Sequence, residues 1–291
     1  MKIGCINAER TLVDELAKIS EVEPIGEGGK LEFDTMFIDW IPLSRKNPEN
    51  TPKLLHQAQI VEKYITKKIP TVIFDRHLGI SSKEYNWLRK FNVSFCEPAL
   101  DYRRNFIYLP FWTILKRLND IPLNISDRKY SLVYKGSISD KTRSFEKYFL
   151  EYSKVYPDDN ICYWGSVDKD KEKEYIENGI HRRDFSFSDA KFTIIIGTSR
   201  DYKVGYLDSC IMDALNNNCV PIIPNDHRYY SAFPLIIPVL EKCCIPEIKT
   251  FVDMYENTYV GLIKDTFTAI EKLYPEMLVQ NAAEMIVELL R

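Results

Sequence analysis

Short hydrophobic segments alternate with amphipathic segments along most of the chain. Nine of the hydrophobic segments are almost continuously apolar and rich in Ile, Val, Phe and Tyr, which is typical of strands buried on both faces. The predicted strands are Lys2–Ile6, Thr35–Ile41, Thr71–Asp75, Val93–Cys96, Phe106–Leu109, Ser131–Gly136, Asn160–Gly165, Phe192–Gly197 and Val220–Pro224. Apolar residues three or four apart predict helices over Lys53–Thr66, Arg143–Val155, Asp208–Leu215 and Asn281–Leu290.

This alternation predicts βαβ units and therefore an α/β protein with parallel sheets. A proline-containing polar segment near residues 110–130 divides the strands into two groups. We therefore predict two Rossmann-like domains, 1–112 and 113–275, whose sheets face a central cleft. A C-terminal helix at 276–291 can pack back on the N-terminal domain. Ligands of such sheets bind at the carboxyl ends of the strands, so polar residues there are the candidates for function.

The composition indicates a globular protein of a reducing compartment. The 291 residues are 45% hydrophobic and 28% charged, as in ordinary globular proteins. The N-terminus lacks the apolar stretch of a signal peptide or of a membrane span, so no membrane association is expected. Seven cysteines without a CxxC motif suit a reducing cytoplasm. The pair Cys243 and Cys244 is expected to be structural.

The charge is unevenly distributed along the chain. The net charge is −3, but residues 41–120 carry 14 Lys and Arg against 7 Asp and Glu. A basic segment of this kind suits an anionic partner such as DNA. An ordinary solvated surface explains the same counts equally well.

The first candidate site is Asp75 in TVIFDRHLG, where it closes an apolar strand and is followed by Arg76 and His77. A carboxylate at this position can remove a proton from a hydroxyl nucleophile, and such help accelerates a reaction by roughly 10²–10⁴. The structural alternative is an aspartate that caps the next turn or pairs with Arg76.

The second candidate is LVYKGSISDKTRSFEKYF, where a strand leads through Gly136 and Ser137 into a helix. Glycine allows close backbone approach, and a helix N-terminus favours anions. Lys141 and Arg143 lie where cations are unfavourable unless an anion joins them, which indicates a bound diphosphate. The alternative is an ordinary strand–turn–helix with a surface arginine.

The third candidate is GYLDSCIMDALNNNCVPII, in which Asp208 and Asp213 can accept the hydroxyls of a ribose. The residues Asn216–Asn218 are expected to form only a tight helix-to-strand turn. Arg182 and Arg183 can surround a base or a phosphate, although a solvated basic loop is the simpler interpretation. The DxD-like residues 168–170 lie in a charge run, so no metal site is predicted there.

GYLDSCIMDALNNNCVPII resembles the donor-binding helix of the GT-B glycosyltransferases. The opening KIGCIN, IFDRHL, YLPFW and LVYKGSISDKTRSFEKYF resemble, in order, segments of the phage DNA β-glucosyltransferases, a GT-B family that transfers glucose from UDP-glucose to 5-hydroxymethylcytosine in DNA. Within this resemblance Asp75 matches the catalytic aspartate, Arg143 a phosphate-binding arginine and Asp213 the ribose-binding acid. Ser139 replaces a second phosphate-binding arginine, so Lys141 or Arg182 and Arg183 would supply that charge.

The resemblance implies an inverting glycosyltransferase that moves a sugar from a UDP-sugar donor to a hydroxyl group. Residues 1–112 would bind the acceptor and 113–275 the nucleotide sugar. The implied acceptor is a hydroxymethylated base in double-stranded phage DNA, modified in the host cytoplasm. No tightly bound cofactor is implied, and a divalent cation is compatible but not required. The alternatives are a saccharide or small-molecule acceptor, an epimerase, or a non-catalytic nucleotide-binding module.

The implied site residues are grouped by role. Asp75 would be catalytic, and Arg76 and His77 would bind the acceptor. The implied donor-binding residues are Gly136, Ser137, Lys141, Arg143, Arg182, Arg183, Asp208 and Asp213.

Overall fold

A computed structural model describes residues 1–25, 32–42, 51–99, 103–109, 128–206, 210–225, 227–229, 235–237, 250 and 259–291. The chain divides into two units. The first consists of Met1–Ile114 together with Glu276–Arg291, and the second consists of Leu115–Pro275. No helix within the described ranges combines the length and apolar character needed to cross a bilayer.

The first unit is built on a six-stranded sheet in the order β2-β1-β3-β4-β5-β6, and all of its strand pairs are parallel. Its elements are β1 (Lys2–Ile6), α1 (Arg10–Ile19), β2 (Glu21–Pro24), β3 (Thr35–Asp39), α2 (Thr51–Tyr64), β4 (Thr71–Phe74), α3 (Ser82–Leu88), β5 (Val93–Glu97) and β6 (Ile107–Tyr108). Strands β3 and β4 are buried at every position, as their unbroken apolar sequences predict.

The second unit repeats this architecture with a parallel sheet in the order β12-β11-β10-β7-β8-β9. Its elements are β7 (Tyr130–Lys135), α4 (Thr142–Phe145), α5 (Glu151–Val155), β8 (Ile161–Trp164), α6 (Lys169–Glu177), β9 (Ile180–Arg182), β10 (Ala190–Ile194), α7 (Ser199–Val204), α8 (Cys210–Asn216), β11 (Val220–Pro224), β12 (Leu235–Ile237) and α9 (Tyr259–Leu273). A π-helical turn, Glu146–Leu150, joins α4 to α5.

The last helix, α10 (Val279–Leu290), belongs to the first unit, where it packs on α1 and against β3 and β4. One stripe of α10 is buried, at spacings of three and four residues, and consists of Val279, Ala282, Ala283, Ile286, Val287 and Leu290. An apolar stripe of this kind covers a hydrophobic layer beneath it. The helix therefore closes the core of the unit that holds the N-terminus.

The predicted strands are all present, although their ends shift by a few residues. Three strands escaped prediction, namely β2, β9 and β12. Each of them lies at the edge of its sheet. Strands β2 and β9 are short and partly exposed, so their sequences lack the continuous hydrophobicity used to find the others. Strand β12 is apolar but only three residues long.

Candidate functional site

Three acidic residues mark the carboxyl edge of the first sheet. Asp39 ends β3, Asp75 follows β4 directly, and Glu97 ends β5. The three strands are hydrogen-bonded neighbours. Because parallel strands end at the same edge, these carboxylates form one row. Each of these acids pairs with an arginine. Arg103 pairs with Asp75 and Glu97, whereas Arg76 pairs with Asp39, and the two clusters differ in their access to solvent.

Asp75 is completely enclosed by the protein. Its Oδ1 accepts a hydrogen bond from the Gly79 amide at 2.8 Å, and its Oδ2 accepts one from the Ile80 amide at 2.8 Å. Arg103 donates to the same Oδ2 at 2.6 Å. Asp75 therefore pins the turn that follows β4, and its role as a catalytic base stays a prediction.

Arg103 joins Asp75 to the third acid of the row. Its Nε donates to Glu97 at 2.6 Å, and its guanidinium lies 3.5 Å from the centre of the Phe106 ring. Glu97 is also buried, and burial raises the pKa of its carboxyl against the opposing effect of Arg103. Neither Arg103 nor Glu97 was predicted from the sequence as a site residue.

Arg76 forms the second cluster. It forms an ion pair with Asp39, in which Nη2 lies 2.6 Å from Oδ2, and a second ion pair with Glu9, which follows β1. Of the two structural alternatives for Asp75, the capping of the next turn is observed. The pairing with Arg76 is not, because that guanidinium turns toward the neighbouring strands. Arg76 is itself buried, and it holds together the loops that follow β1, β3 and β4.

A cavity of about 230 Å³ opens beside this second cluster. Its lining includes Asn7, Glu9, Asp39, Trp40, Lys53, Arg76 and His77. It therefore contains both residues predicted to bind the acceptor, Arg76 and His77. Burial raises the pKa of Asp39 to about 6, although Arg76 acts in the opposite direction.

Two residues beside this cavity adopt a left-handed backbone conformation without being glycine. Asn7 has a φ of 56° and Leu78 has a φ of 52°. A branched apolar residue seldom adopts this conformation, and strain of this kind concentrates at functional sites. Leu78 belongs to the turn after β4, which also carries Arg76 and His77. The carboxylate of Asp75 holds this turn through the amides of Gly79 and Ile80.

The carboxyl edge of the second sheet carries two matching turns. Strand β7 ends in Tyr-Lys-Gly-Ser at residues 134–137, and β8 ends in Tyr-Trp-Gly-Ser at residues 163–166. The strands are paired so that Tyr134 lies opposite Tyr163. Gly136 and Ser137 of the first turn were predicted from the sequence, whereas the matching second turn was not.

The two turns are joined along their backbones. The Gly136 amide donates to the Trp164 carbonyl at 2.8 Å, and the Ile138 amide donates to the Ser166 carbonyl at 2.9 Å. A Cβ atom on Gly165 would lie only 1.8 Å from the Gly136 oxygen. Glycine at position 165 is therefore required by contact between two backbones, and Gly136 itself has a φ of 148°.

The helix after the first turn begins at Thr142 and continues through α4, the π turn and α5 to Val155. Lys141 occupies the N-cap position, and no side chain caps the first amides. Amides left open at a helix N-terminus favour an anion. Arg143 is exposed and forms no ion pair within the described parts of the chain. The diphosphate site at Lys141 and Arg143 stays a prediction.

Arg182 and Arg183, the other two arginines of the predicted donor site, lie at the same carboxyl edge of the second sheet, because β9 pairs with β8. Arg182 is exposed, forms an ion pair with Glu172 at 3.2 Å, and has its guanidinium 5.8 Å from the centre of the Trp164 ring. The backbone of Arg183 continues the pairing, since its amide donates to the Tyr163 carbonyl at 3.0 Å. Arg182 is therefore already partly neutralised, in contrast to Arg143.

The predicted ribose acid Asp213 is exposed and lies in α8, in its first turn. The other acid, Asp208, lies outside the described residues, as do Cys243 and Cys244. Residues Asn216–Asn218 form the expected helix-to-strand turn, in which Asn218 has a φ of 54°. A small cavity of about 10 Å³ lies at the start of α8 and is lined by Lys135, Lys141 and Cys210 among others. It holds no more than about one water.

The DxD-like segment has a structural role. Asp168 is the N-cap of α6, and its side chain accepts a hydrogen bond from the Asp170 amide at 2.9 Å. Within the part of the chain that the structure describes, no cluster of three or more His, Cys, Asp or Glu residues is arranged to hold a metal ion.

Sequence reasoning missed several residues of the cavity in the first unit, namely Asn7, Glu9, Asp39 and Lys53. A usable signal existed for Asp39, since it closes the apolar strand TMFID just as Asp75 closes TVIFD. The predicted strand Thr35–Ile41 extended two residues too far and therefore concealed Asp39 as a strand end.

Two α/β units with parallel six-stranded sheets define the fold class, which is the GT-B fold predicted from the sequence. No protein-family model matches the sequence, and no curated protein matches it either. The fold class therefore rests on similarity to solved structures.

Three solved structures are similar over nearly the whole chain. HepE of Anabaena in complex with UDP and glucose has a TM-score of 0.56 at 11% identity, covering 99% of this chain and 98% of its own. AviGT4, a glycosyltransferase involved in avilamycin A biosynthesis, has a TM-score of 0.51 at 10% identity, with 100% and 97% covered. A glycosyltransferase from Rickettsia africae ESF-5 has a TM-score of 0.51 at 10% identity, with 100% and 98% covered.

At these identities the similarity establishes the fold. The narrower resemblance to the phage DNA β-glucosyltransferases stays a prediction.

Proposed function

We propose that the protein is a glycosyltransferase that moves a sugar from a nucleoside diphosphate donor to a hydroxyl group. The observation that carries this proposal is the GT-B fold over nearly the full chain, shared with a structure that contains UDP and glucose. A carboxyl edge in the second unit with open helix amides and the unpaired cation Arg143 supports it. The nucleotide would be bound there, and the acceptor would be bound by the first unit.

The donor site is proposed at the two Tyr-x-Gly-Ser turns. The amides at the start of α4 and the side chains of Lys141 and Arg143 would bind the diphosphate, with Arg182 and Arg183 nearby on the same edge. Asp213, with Asp208, would bind the ribose. As the glycosidic bond breaks, negative charge develops on the diphosphate, so fixed donors at this position lower the barrier. We propose a single displacement with inversion at the anomeric carbon.

Replacing Arg143 by alanine is expected to weaken UDP binding by about tenfold to a hundredfold. A hydrogen bond to a charged group contributes roughly 1.5–3 kcal/mol, which corresponds to that change in dissociation constant. Isothermal calorimetry with UDP measures it directly, after a thermal-shift screen with UDP-, GDP- and dTDP-glucose has identified the preferred nucleotide.

Lys154→Ala is the matched control for this measurement. Lys154 lies in α5 at the opposite end of the same continuous helix and pairs with Glu151 on the surface. Its removal changes the net charge by the same amount but should leave UDP affinity unchanged. Equal effects of the two substitutions would indicate a general charge effect and would place the diphosphate elsewhere.

DNA is the acceptor that the resemblance implies, and its specific support is the excess of 14 Lys and Arg over 7 Asp and Glu in residues 41–120. Residues 1–40 carry 4 Lys and Arg against 9 Asp and Glu, which offsets much of that excess. A DNA acceptor predicts that duplex affinity falls by about 10³-fold or more between roughly 50 and 200 mM salt. Filter binding with hydroxymethylated and plain duplexes measures this, and weak binding without preference for the modified duplex would argue against DNA.

A further inference from the structure

A buried acid with one unoccupied oxygen lines the cavity at the carboxyl edge of the first sheet. Asp39 closes β3, and its Oδ2 forms an ion pair with Arg76 at 2.6 Å. No described residue donates a hydrogen bond to its Oδ1. The cavity beside it measures about 230 Å³, and the loops that build it are fixed to one another by Arg76.

We infer that this cavity binds the hydroxyl group of an uncharged acceptor and that Asp39 receives the proton of that hydroxyl. The inference rests on the proposed glycosyltransferase function and names the acid and the acceptor class for it.

Asp39 is better placed for this role than Asp75. The side chain of Asp39 keeps 11% of its surface exposed, whereas that of Asp75 keeps none. Both oxygens of Asp75 already accept hydrogen bonds from Gly79, Ile80 or Arg103. A general base must lie within hydrogen-bonding distance of the proton that it removes. Asp75 instead acts as a positioning residue, because it holds the turn that carries Arg76 toward Asp39.

The cavity favours an uncharged ligand. Its two acids, Glu9 and Asp39, are balanced by Arg76 and Lys53, and Arg76 is bound to both acids. A phosphate in this cavity would lie close to two carboxylates, and like charges at close range are unfavourable. The arginine of the cavity, Arg76, is already paired with both acids. Drug-sized ligands occupy pockets of about 300–1,000 Å³, so this smaller cavity suits one ring-sized group.

Trp40 supplies a second indication of a polar ligand. It lines the cavity and is 5% exposed, and its indole N–H has no hydrogen-bond acceptor among the described residues. A buried donor without an acceptor is uncommon in proteins and costs free energy. A ligand hydroxyl that reached this N–H would accept its hydrogen bond, which a purely apolar ligand cannot do.

The proposed step transfers one proton and exchanges one bond. The acceptor oxygen gives its proton to Oδ1 of Asp39 and forms a bond to the anomeric carbon. The bond between that carbon and the diphosphate oxygen breaks, and its electron pair leaves with the nucleoside diphosphate. Burial raises the pKa of Asp39 to about 6, so the group is ionised at neutral pH and is a stronger base than an ordinary aspartate.

The test compares Asp39→Asn with Asp75→Asn in the full-length protein. Release of nucleoside diphosphate from UDP-, GDP- and dTDP-glucose is measured with glucose or glucose 6-phosphate as the acceptor. We expect Asp39→Asn to lower kcat by about 10²–10⁴ with unchanged UDP affinity, and Asp39→Glu to restore part of the rate. Asp75→Asn, assayed at a temperature where it is folded, should lower kcat at least tenfold less than Asp39→Asn does. Glucose should be a better acceptor than its 6-phosphate.

Other results would overturn the inference. Turnover of Asp39→Asn close to that of the wild type would remove Asp39 as the base, and preference for glucose 6-phosphate would remove the uncharged acceptor. Both outcomes leave the proposed function intact if the wild type still binds UDP in calorimetry. A wild type that binds no nucleotide would overturn both proposals together.

The pH profile of the wild type gives a second readout that does not depend on a variant folding. Glu9, Arg76, His77 and Lys53 are the charged and titratable groups that line the cavity with Asp39. We expect kcat/KM to decline below about pH 6 as Asp39 becomes protonated. The decline should persist in His77→Gln, which separates Asp39 from the histidine. A profile that is flat between about pH 5 and 8 would contradict Asp39 as the base.

Discussion

Replacing Asp75 by alanine should lower the free energy of unfolding by about 3–5 kcal/mol, because the change breaks a buried ion pair. Asp75 is fully buried, and its removal leaves the amides of Gly79 and Ile80 without their acceptor. Arg103 keeps Glu97 as a partner, which moves the expected loss toward the lower end of that range. Stability is generally about 5–15 kcal/mol, so much of it would be lost. Urea denaturation followed by circular dichroism measures the change.

An exposed acid of the same unit provides the comparison for Asp75. Asp14 lies in α1 with 66% of its side chain exposed, 4.0 Å from Arg10. Its replacement by alanine should change stability by no more than about 0.5 kcal/mol. If Asp75→Ala proved equally mild while turnover disappeared, Asp75 would be catalytic after all, and the structural role argued from its hydrogen bonds would be wrong.

The central strands were predictable because burial on both faces produces unbroken apolar sequences. Strands β3 and β4 are examples, with every residue buried. The edge strand β9 contributes only three residues, of which His181 and Arg182 are exposed, so its sequence carries no such pattern. Helix α10 was predictable in position from its spacing, but the surface it covers is set by tertiary packing on α1.

Polar residues at the carboxyl edges of the sheets were predictable where they follow a strand, since parallel strands end at one edge. This rule identified Asp75 and the Gly136–Ser137 turn. It did not predict which carboxylate would be enclosed, because enclosure depends on Arg103, which lies 28 residues further along the chain. Likewise, the pairing of Arg76 with Glu9 spans 67 residues and follows from the sheet order β1-β3-β4.

A Gly165→Ala substitution should lower the free energy of unfolding by about 1–3 kcal/mol or more and should also weaken UDP binding. The new Cβ would lie 1.8 Å from the Gly136 oxygen and 2.5 Å from its carbonyl carbon. Both are backbone atoms, so the overlap is relieved only by separating the ends of β7 and β8, and overpacking of this kind carries that cost. Separation would also disrupt the hydrogen bond between the Gly136 amide and Trp164.

Gly261 offers the matched control for Gly165, because a Cβ placed there meets no atom within 4 Å. It lies inside α9, where alanine is favoured over glycine by about 0.5–1 kcal/mol. Gly261→Ala should therefore raise the stability and leave UDP affinity unchanged, in calorimetry and urea denaturation of both variants. Since the Gly136 turn is the proposed diphosphate site, only the Gly165 variant should lose nucleotide. If the Gly165 variant lost stability but kept full UDP affinity, the two joined turns would not be part of the donor-binding site.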